Sequence, residues 1–163
     1  MLSHAYIGLG SNLDGPRDHI ERALRELDGL KLTHLIAASS CYASRPVGPQ
    51  DQPDFINAVA LIETRLSPLA LLDQLQALEQ RHARVRRRHW GPRTLDLDLL
   101  LYNDQCLDHP RLRLPHPEIA NRAFVVVPLH ELAPTLELPG LGSLAVLPAW
   151  QDADDLRALL PQR

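Results

Sequence analysis

Two aspartates inside an apolar run constrain this chain more than any other feature. The stretch runs Trp90-Gly-Pro-Arg-Thr-Leu-Asp-Leu-Asp-Leu-Leu-Leu-Tyr102, with Asp96 and Asp98 two residues apart. Residues i and i+2 of a strand point to one face. The two carboxylates would stand side by side, roughly 6.5 Å apart at about 3.3 Å per residue. Like charges this close repel, and burial makes the repulsion worse. A chain that keeps such a pair usually holds something positive between them. Arg93 lies just upstream, behind a run of further arginines. Metal, carboxylates and arginines together are what phosphoryl transfer requires. A plainer reading stands beside this one. If Leu95, Leu97, Leu99 and Leu101 are the buried face, the aspartates are surface carboxylates on an alternating strand. Leu100 and Tyr102 continue the aspartate face, however, so that face is not simply wet.

The flanking sequence alternates strand and helix patterns. Residues 4–10 read as a strand whose glycines, Gly8 and Gly10, mark a tight exit. Pro16 suits the first turn of a helix carrying Ile20, Ala23, Leu24 and Leu27 at helical spacing, and Gly29 stops it. Residues 33–43 predict a second strand, and 44–54, with three prolines and a glycine, a long loop of the functional kind. Phe55, Asn57, Val59 and Leu61 share one face of a strand over 55–65. Ser67-Pro68 caps a helix with Leu69, Leu72, Leu75 and Leu78 on one face, ending near residue 82. Residues 106–115 predict a short hairpin or an extended segment, and Pro117 could start a short helix through Asn121. Residues 124–132 fit a helix or a strand. Pro139-Gly140 signals a turn, and 154–160 predict a terminal helix. This pattern implies a single α+β domain over 1–163, a sandwich of sheet and helices.

The bulk numbers exclude several classes. At 163 residues the chain can bury a real core, and 45% apolar with 23% charged residues is ordinary for a globular protein. A net charge of -3 argues against a general nucleic-acid binder. No apolar run approaches a membrane span, and the first residues do not read as a secretory signal. Cys41 and Cys106 follow no metal spacing and are expected to be reduced thiols in a cytoplasmic protein. Lys31 is the only lysine, so no P-loop lysine exists, and G-x-x-x-x-G-K-[ST] is missing. Cationic contacts must come from arginine or histidine. Arg86, Arg87 and Arg88 fit a solvated helix end, whereas Arg84 and Arg93 lie nearer ordered elements. A guanidinium fits phosphate oxygens bidentately. His116, between two prolines, reads as a surface histidine or a phosphate contact.

Four blocks occur in order: Tyr6-Ile-Gly-Leu-Gly-Ser-Asn-Leu13, Arg45 to Ala58 (RPVGPQDQPDFINA), Gly91-Pro-Arg-Thr-Leu-Asp-Leu-Asp98 and Leu114-Pro-His-Pro-Glu-Ile-Ala-Asn-Arg-Ala-Phe124. Together they closely resemble the 6-hydroxymethyl-7,8-dihydropterin pyrophosphokinase family of folate biosynthesis. The resemblance spans nearly the whole chain and weakens after about residue 135. It implies an antiparallel sheet with helices packed on it around a ferredoxin-like core. It also implies transfer of the β,γ-diphosphate of ATP to the pterin hydroxymethyl group, with two Mg²⁺ ions. Asp96 and Asp98 match the family's metal ligands, and Arg84 and Arg93 its catalytic-loop arginines. Arg111, His116 and Arg122 match ATP contacts, with Gln76 and Glu79 beside them. Asn57 matches a pterin hydrogen-bonding residue. Phe55 and Phe124 match pterin neighbours, Trp90 the tryptophan of the family's mobile loop, and Ser44 and Val47 positions lining the pterin pocket. ATP and 6-hydroxymethyl-7,8-dihydropterin are the expected partners of a monomer, with no nucleic acid or membrane.

The chain departs from the family pattern in places. Ala83 stands where glycine is frequent, Arg45 where proline is common, and Arg113 where threonine is frequent. The 84–90 segment is one residue shorter than in close relatives. These changes predict altered loop dynamics or ATP affinity rather than loss of reaction. A non-catalytic relative that keeps the pocket would release no AMP. A nucleotidyl transferase using the aspartates would release pyrophosphate. A nucleic-acid module using the arginine run would bind with steep salt dependence.

Overall fold

Alternation in the first strand sets up the molecule. The computed structural model describes residues 2–12, 15–44, 54–82 and 94–158. In chain order its elements are β1 (Ser3–Ser11), α1 (Pro16–Asp28), β2 (Thr33–Ala38), β3 (Tyr42–Ser44), β4 (Phe55–Thr64), α2 (Pro68–His82) and β5 (Asp96–Tyr102). There follow the hairpin β6 (Leu107–His109) and β7 (Leu112–Leu114), α3 (Ala123–Leu132), the small hairpin β8 (Glu137–Leu138) and β9 (Gly142–Ser143), and β10 (Arg157–Ala158). Short 3-10 turns span Ile119–Asn121, Leu144–Val146 and Pro148–Asp155. β1 is central, paired antiparallel with β4 on one side and β5 on the other. β4 carries β2 at one end and β3 at the other, and β10 pairs with β3. One six-stranded antiparallel sheet results.

Helices cover both faces of that sheet. Ala5, Ile7 and Leu9 of β1 join Ile20, Ala23 and Leu27 of α1 and Leu71, Leu75 and Leu78 of α2 in one apolar cluster. On the opposite face Val59, Leu100 and Leu101 pack with Val125, Val126 and Leu129 of α3 and with Ile119 and Leu144. The protein is thus an α+β fold with three α-helices on an antiparallel sheet. The ambiguous 124–132 stretch is helical although its valines favour strands and Pro128 has no N–H for the Phe124 carbonyl. Burial of Val125, Val126 and Leu129 against the sheet outweighs that propensity.

Three expectations need correction. The 33–43 strand is two strands, because Ser39 turns inward. Its hydroxyl accepts from the Val59 N–H at 2.9 Å, and its own N–H donates to the Val59 carbonyl at 2.8 Å. Of the terminal helix over 154–160, the described residues 154–158 are not α-helical, and 159–160 lie outside the described residues. A 3-10 stretch ends at Asp155, and β10 then adds to the open edge of β3. In β5, a register shift opposite Tyr6 and Ile7 pairs Leu101 with Tyr6 and Tyr102 with Ala5. This bulge exchanges the two residues between faces. Leu101 enters the α3-side cluster, and Tyr102 enters the other and donates to the Leu66 carbonyl at 2.5 Å.

Side chains fasten the helices at their ends. His82 extends the buried face of α2. Its Nε2 donates to Glu26 Oε1 at 2.6 Å, and its Nδ1 shares a hydrogen bond with His19 Nδ1 at 2.7 Å. On the other face Glu131 of α3 accepts from the Ser40 N–H at 2.8 Å and from the Tyr42 hydroxyl at 2.5 Å. Burial, then that hydrogen bond and the Glu131 charge, push the Tyr42 phenol up to about 12. An unfolded tyrosine ionises near 10. As pH rises from about 10 towards 12, the unfolded chain loses a proton that the folded chain keeps, so Tyr42 makes stability fall through that window. Tyr42→Phe is expected to flatten the alkaline loss of melting temperature. In a phenolate absorbance titration it should remove a step near 12; an unchanged titration would disprove the pairing.

Candidate active site

The strand register builds the cleft floor. Gly10 lies opposite Asn57 of β4 and Asp96 of β5, and Gly8 lies opposite Val59 and Asp98. Directly opposed residues share a face. The face of β1 turned away from α1 and α2 therefore carries no side chain at these two positions. Both glycines lie within β1, Gly10 one residue before its end at Ser11, so the strand exit that their spacing suggested falls just past them. Over them opens a cleft of about 620 Å³. Ser44, Phe55 and Asn57 form one wall, Asp96 and Asp98 the other, and the segment from Glu118 to Val125 closes the back.

The Asn57 end is a shaped, partly apolar half-site. Asn57 and Ser44 are both buried, and Asn57 Nδ2 donates to Ser44 Oγ at 2.7 Å. The Asn57 Oδ1 faces the space above Gly10. Phe55 and Phe124 are half-buried on the cleft wall. Arg122, the residue before α3, lays its guanidinium over the Phe124 ring at 5.6 Å from the centroid. Flat apolar faces beside a fixed amide suit a planar heterocycle.

The other end is ionic. Arg122 Nη1 is 3.9 Å from Asp98 Oδ2, and His116 Nε2 is 4.0 Å from Asp98 Oδ1. The His116 backbone N–H donates to the Leu100 carbonyl at 2.9 Å, which ties the histidine to the aspartate strand. Its Nδ1 accepts from the Glu118 N–H at 3.1 Å, so the neutral ring carries its proton on Nε2, towards Asp98. Burial lowers the His116 pKa, opposed by Asp98 and assisted by Arg122. β5 is a sheet edge, and Glu79 of α2 satisfies it by accepting from the Leu97 N–H at 2.9 Å. The Ser11 hydroxyl donates to the Thr94 carbonyl, joining the end of β1 to the start of β5.

The structure brings Ser44, Phe55, Asn57, Asp96, Asp98, Arg122 and Phe124 to one cleft, with His116 against Asp98. Arg111 and Gln76 are together but elsewhere. Arg111 Nη2 contacts Asp73 Oδ1 at 2.6 Å and Gln76 Oε1 at 3.2 Å on the outer side of α2. Glu79 stands behind the carboxylate strand. Arg84, Arg93, Val47 and Trp90 lie outside the described residues. Gly8, Gly10, Asn121 and Leu156 line the cleft without having been singled out as site residues. Two strand glycines opposite Ala5, Ile7 and Leu9 were the available signal for the floor.

Among the described residues no group of three or more His, Cys, Asp or Glu could hold a metal ion. Asp96 and Asp98 offer two carboxylates only. That donor set fits a hard cation taking one or two carboxylates and its other ligands from phosphates and water.

This fold occurs in known enzymes. A crystal structure of wild-type Plasmodium falciparum HPPK-DHPS with pteroate superposes with a TM-score of 0.73 at 14% identity, over 94% of this chain. Another, of HPPK-DHPS in complex with substrates, gives 0.74 at 12% identity over 98% of this chain. The chain spans 43% and 49% of the length of those chains, and at such identity the likeness establishes the fold alone. Residues 6–134 match the family model 7,8-dihydro-6-hydroxymethylpterin-pyrophosphokinase (HPPK). The 2-amino-4-hydroxy-6-hydroxymethyldihydropteridine pyrophosphokinase of Haemophilus influenzae is 56% identical over 83% of this chain and 84% of its own length. Its counterpart in Pseudomonas aeruginosa is 53% identical over 85% and 86%. The chain belongs to the HPPK family.

The His116 environment gives a pH prediction. With its pKa lowered, the folded chain binds this proton less readily than an unfolded histidine does at about 6.5. The contribution to stability is therefore full above about 6.5 and declines as pH falls through the folded value. In a histidine NMR titration His116 should turn over below 6.5. Arg122→Ala should move it up and Asp98→Asn further down. A shift opposite in sign for either variant would contradict the contacts described.

Proposed function

We propose that the cleft binds 6-hydroxymethyl-7,8-dihydropterin at its Asn57–Phe124 end and ATP at its Asp96–Asp98 end. The chain is a diphosphotransferase of folate biosynthesis that moves the pyrophosphoryl group of ATP to the pterin hydroxymethyl oxygen. The observation that carries the site reading is the row Asn57–Gly10–Asp96. An amide and a carboxylate face each other across a floor with no side chain between them.

In this reading Asn57 hydrogen-bonds the pterin edge. Phe55 and Phe124 flank the ring, and Ser44, Val47 and Trp90 complete the pocket. The hydroxymethyl oxygen forms a bond to the β-phosphorus as the bond to the α,β-bridging oxygen breaks; the hydroxyl proton passes to solvent and AMP leaves. Arg84 and Arg93 stabilise the charge that develops on the bridging and terminal oxygens. His116 and Arg122 hold the nucleotide; Gln76, Glu79 and Arg111, which stand outside the described cleft, take an ATP role only on the family resemblance. Arg122 and the Nε2–H of His116, already beside Asp98, supply donors to its phosphates. Asp96 and Asp98 would hold two Mg²⁺ ions with the ATP. Such ions neutralise phosphate charge and align the oxygens for in-line displacement. Catalysis then rests on positioning and electrostatics, and no described side chain is needed as a general acid. The sheet order β2-β4-β1-β5 with crossover helices α1 and α2 supports reading the core as ferredoxin-like. We take residues 1–163 as one domain, acting as a cytoplasmic monomer where ATP is available.

Incubating protein with MgATP and 6-hydroxymethyl-7,8-dihydropterin should release AMP and not pyrophosphate. Asp96→Ala and Asp98→Ala should each lower that rate by about 100-fold or more, with unchanged thermal melting. Arg93→Ala should lower turnover strongly. Full turnover in either aspartate variant would sink the metal assignment, and unchanged turnover in Arg93→Ala would leave that arginine structural.

A further inference from the structure

The floor of the cleft points to a specificity-determining position that carries no functional group. β1 is paired on both sides throughout the site, and a glycine in such a strand costs stability relative to a residue with a side chain. Gly10 does not have the positive φ that would require glycine. Its backbone is ordinary extended strand, so its bareness must answer to space rather than to conformation. A Cβ built on Gly10 would stand 3.3 Å from Asn57 Oδ1 and 3.9 Å from Phe55 Cδ1. It would project into the cleft between the amide wall and the carboxylate wall. The same exercise at Gly8 meets only the Leu100 side chain, at 3.5 Å, an ordinary contact.

We infer that Gly10 sets the depth of the ring-binding half-site. The bare peptide there lets a flat bicyclic ring lie low enough for its edge to reach Asn57 Oδ1. In that pose the substituent that accepts phosphate points along the floor towards Asp96. A methyl group at this position lifts the ring and presses on the carboxamide that recognises it. The effect falls on the pterin and spares the nucleotide, because the closest neighbours of the added methyl, Asn57 and Phe55, stand on the wall away from Asp98, His116 and Arg122. Gly10 is therefore a positioning residue, acting by the absence of a side chain, and the inference rests on the pterin reading of the cleft.

The test is Gly10→Ala. Relief of the glycine penalty should leave its melting temperature equal to or above that of the parent. The KM for 6-hydroxymethyl-7,8-dihydropterin is expected to rise at least tenfold. The KM for ATP should stay within about threefold, since no described ATP-side atom, the facing Asp96 included, comes within 4 Å of the methyl. Titration of pterin binding should show the same loss. An unchanged pterin KM, equal losses for both substrates, or a variant that melts well below the parent would each overturn the inference. In the last case the glycine would serve packing against Asn57. Absence of pterin-dependent AMP release from the parent would instead overturn the functional reading itself.

Discussion

Everything in the site depends on β1 having two unlike faces that cannot be exchanged. Ala5, Ile7 and Leu9 are almost wholly buried against α1 and α2, while Tyr6, Gly8 and Gly10 face the other way. Strand side chains alternate with a period of two, so a one-residue slip would turn Ile7 and Leu9 into the cleft and the glycines into the core. The apolar cluster thereby fixes the register, and the register aligns Asn57, Gly10 and Asp96. Hydrophobic burial on one side of the sheet determines polar geometry on the other.

The carboxylate strand solves a different problem. Two aspartates on one face repel, yet β5 must also bury Leu97, Leu99, Leu100 and Leu101. The bulge near Leu100 lets the strand do both. Upstream of it the side chains towards the cleft are acidic, and downstream they enter the α3-side cluster. Arg122 and His116 bring positive charge or donors to within 4 Å of Asp98. Glu79 meanwhile occupies the outer edge from behind, through the Leu97 N–H. Arg122 also covers Phe124, so one side chain borders both the ionic and the aromatic half of the cleft.

Much of this could be read from the chain before its coordinates. Periodicity located α1 and α2 because each buries one stripe against the sheet, and the long strands because their alternate residues divide between its two faces. It could not settle 124–132, where α3 is packed by apolar neighbours and the residue pattern has no polar face to orient it. The tail was misread because Leu156 to Leu160 carries helical spacing, while the edge of β3, remote in sequence, recruits residues 157 and 158 as a strand. Asp96 and Asp98 stood out as charges in an apolar run. Asn57 entered only through resemblance to a family, since an amide on an alternating strand is unremarkable by itself. In the sequence Gly8 and Gly10 mark only a strand exit, because a missing side chain becomes a cleft floor only when both neighbouring strands are in place. The positions of Arg84, Arg93, Val47 and Trp90 lie outside the described residues, so their roles rest on the family alone.

The pairing of β10 with β3 has one more consequence. An uncovered strand edge offers unpaired N–H and C=O groups to any other chain, and Ser44 sits on this one, at the mouth of the cleft. Among the described residues Arg157 and Ala158 occupy that edge and so blunt a template for self-association where the protein can least tolerate a visitor. Fraying there would both reopen a sticky edge and disturb Leu156, which lines the same cleft. Solubility and substrate access are in this way tied to one short stretch of backbone.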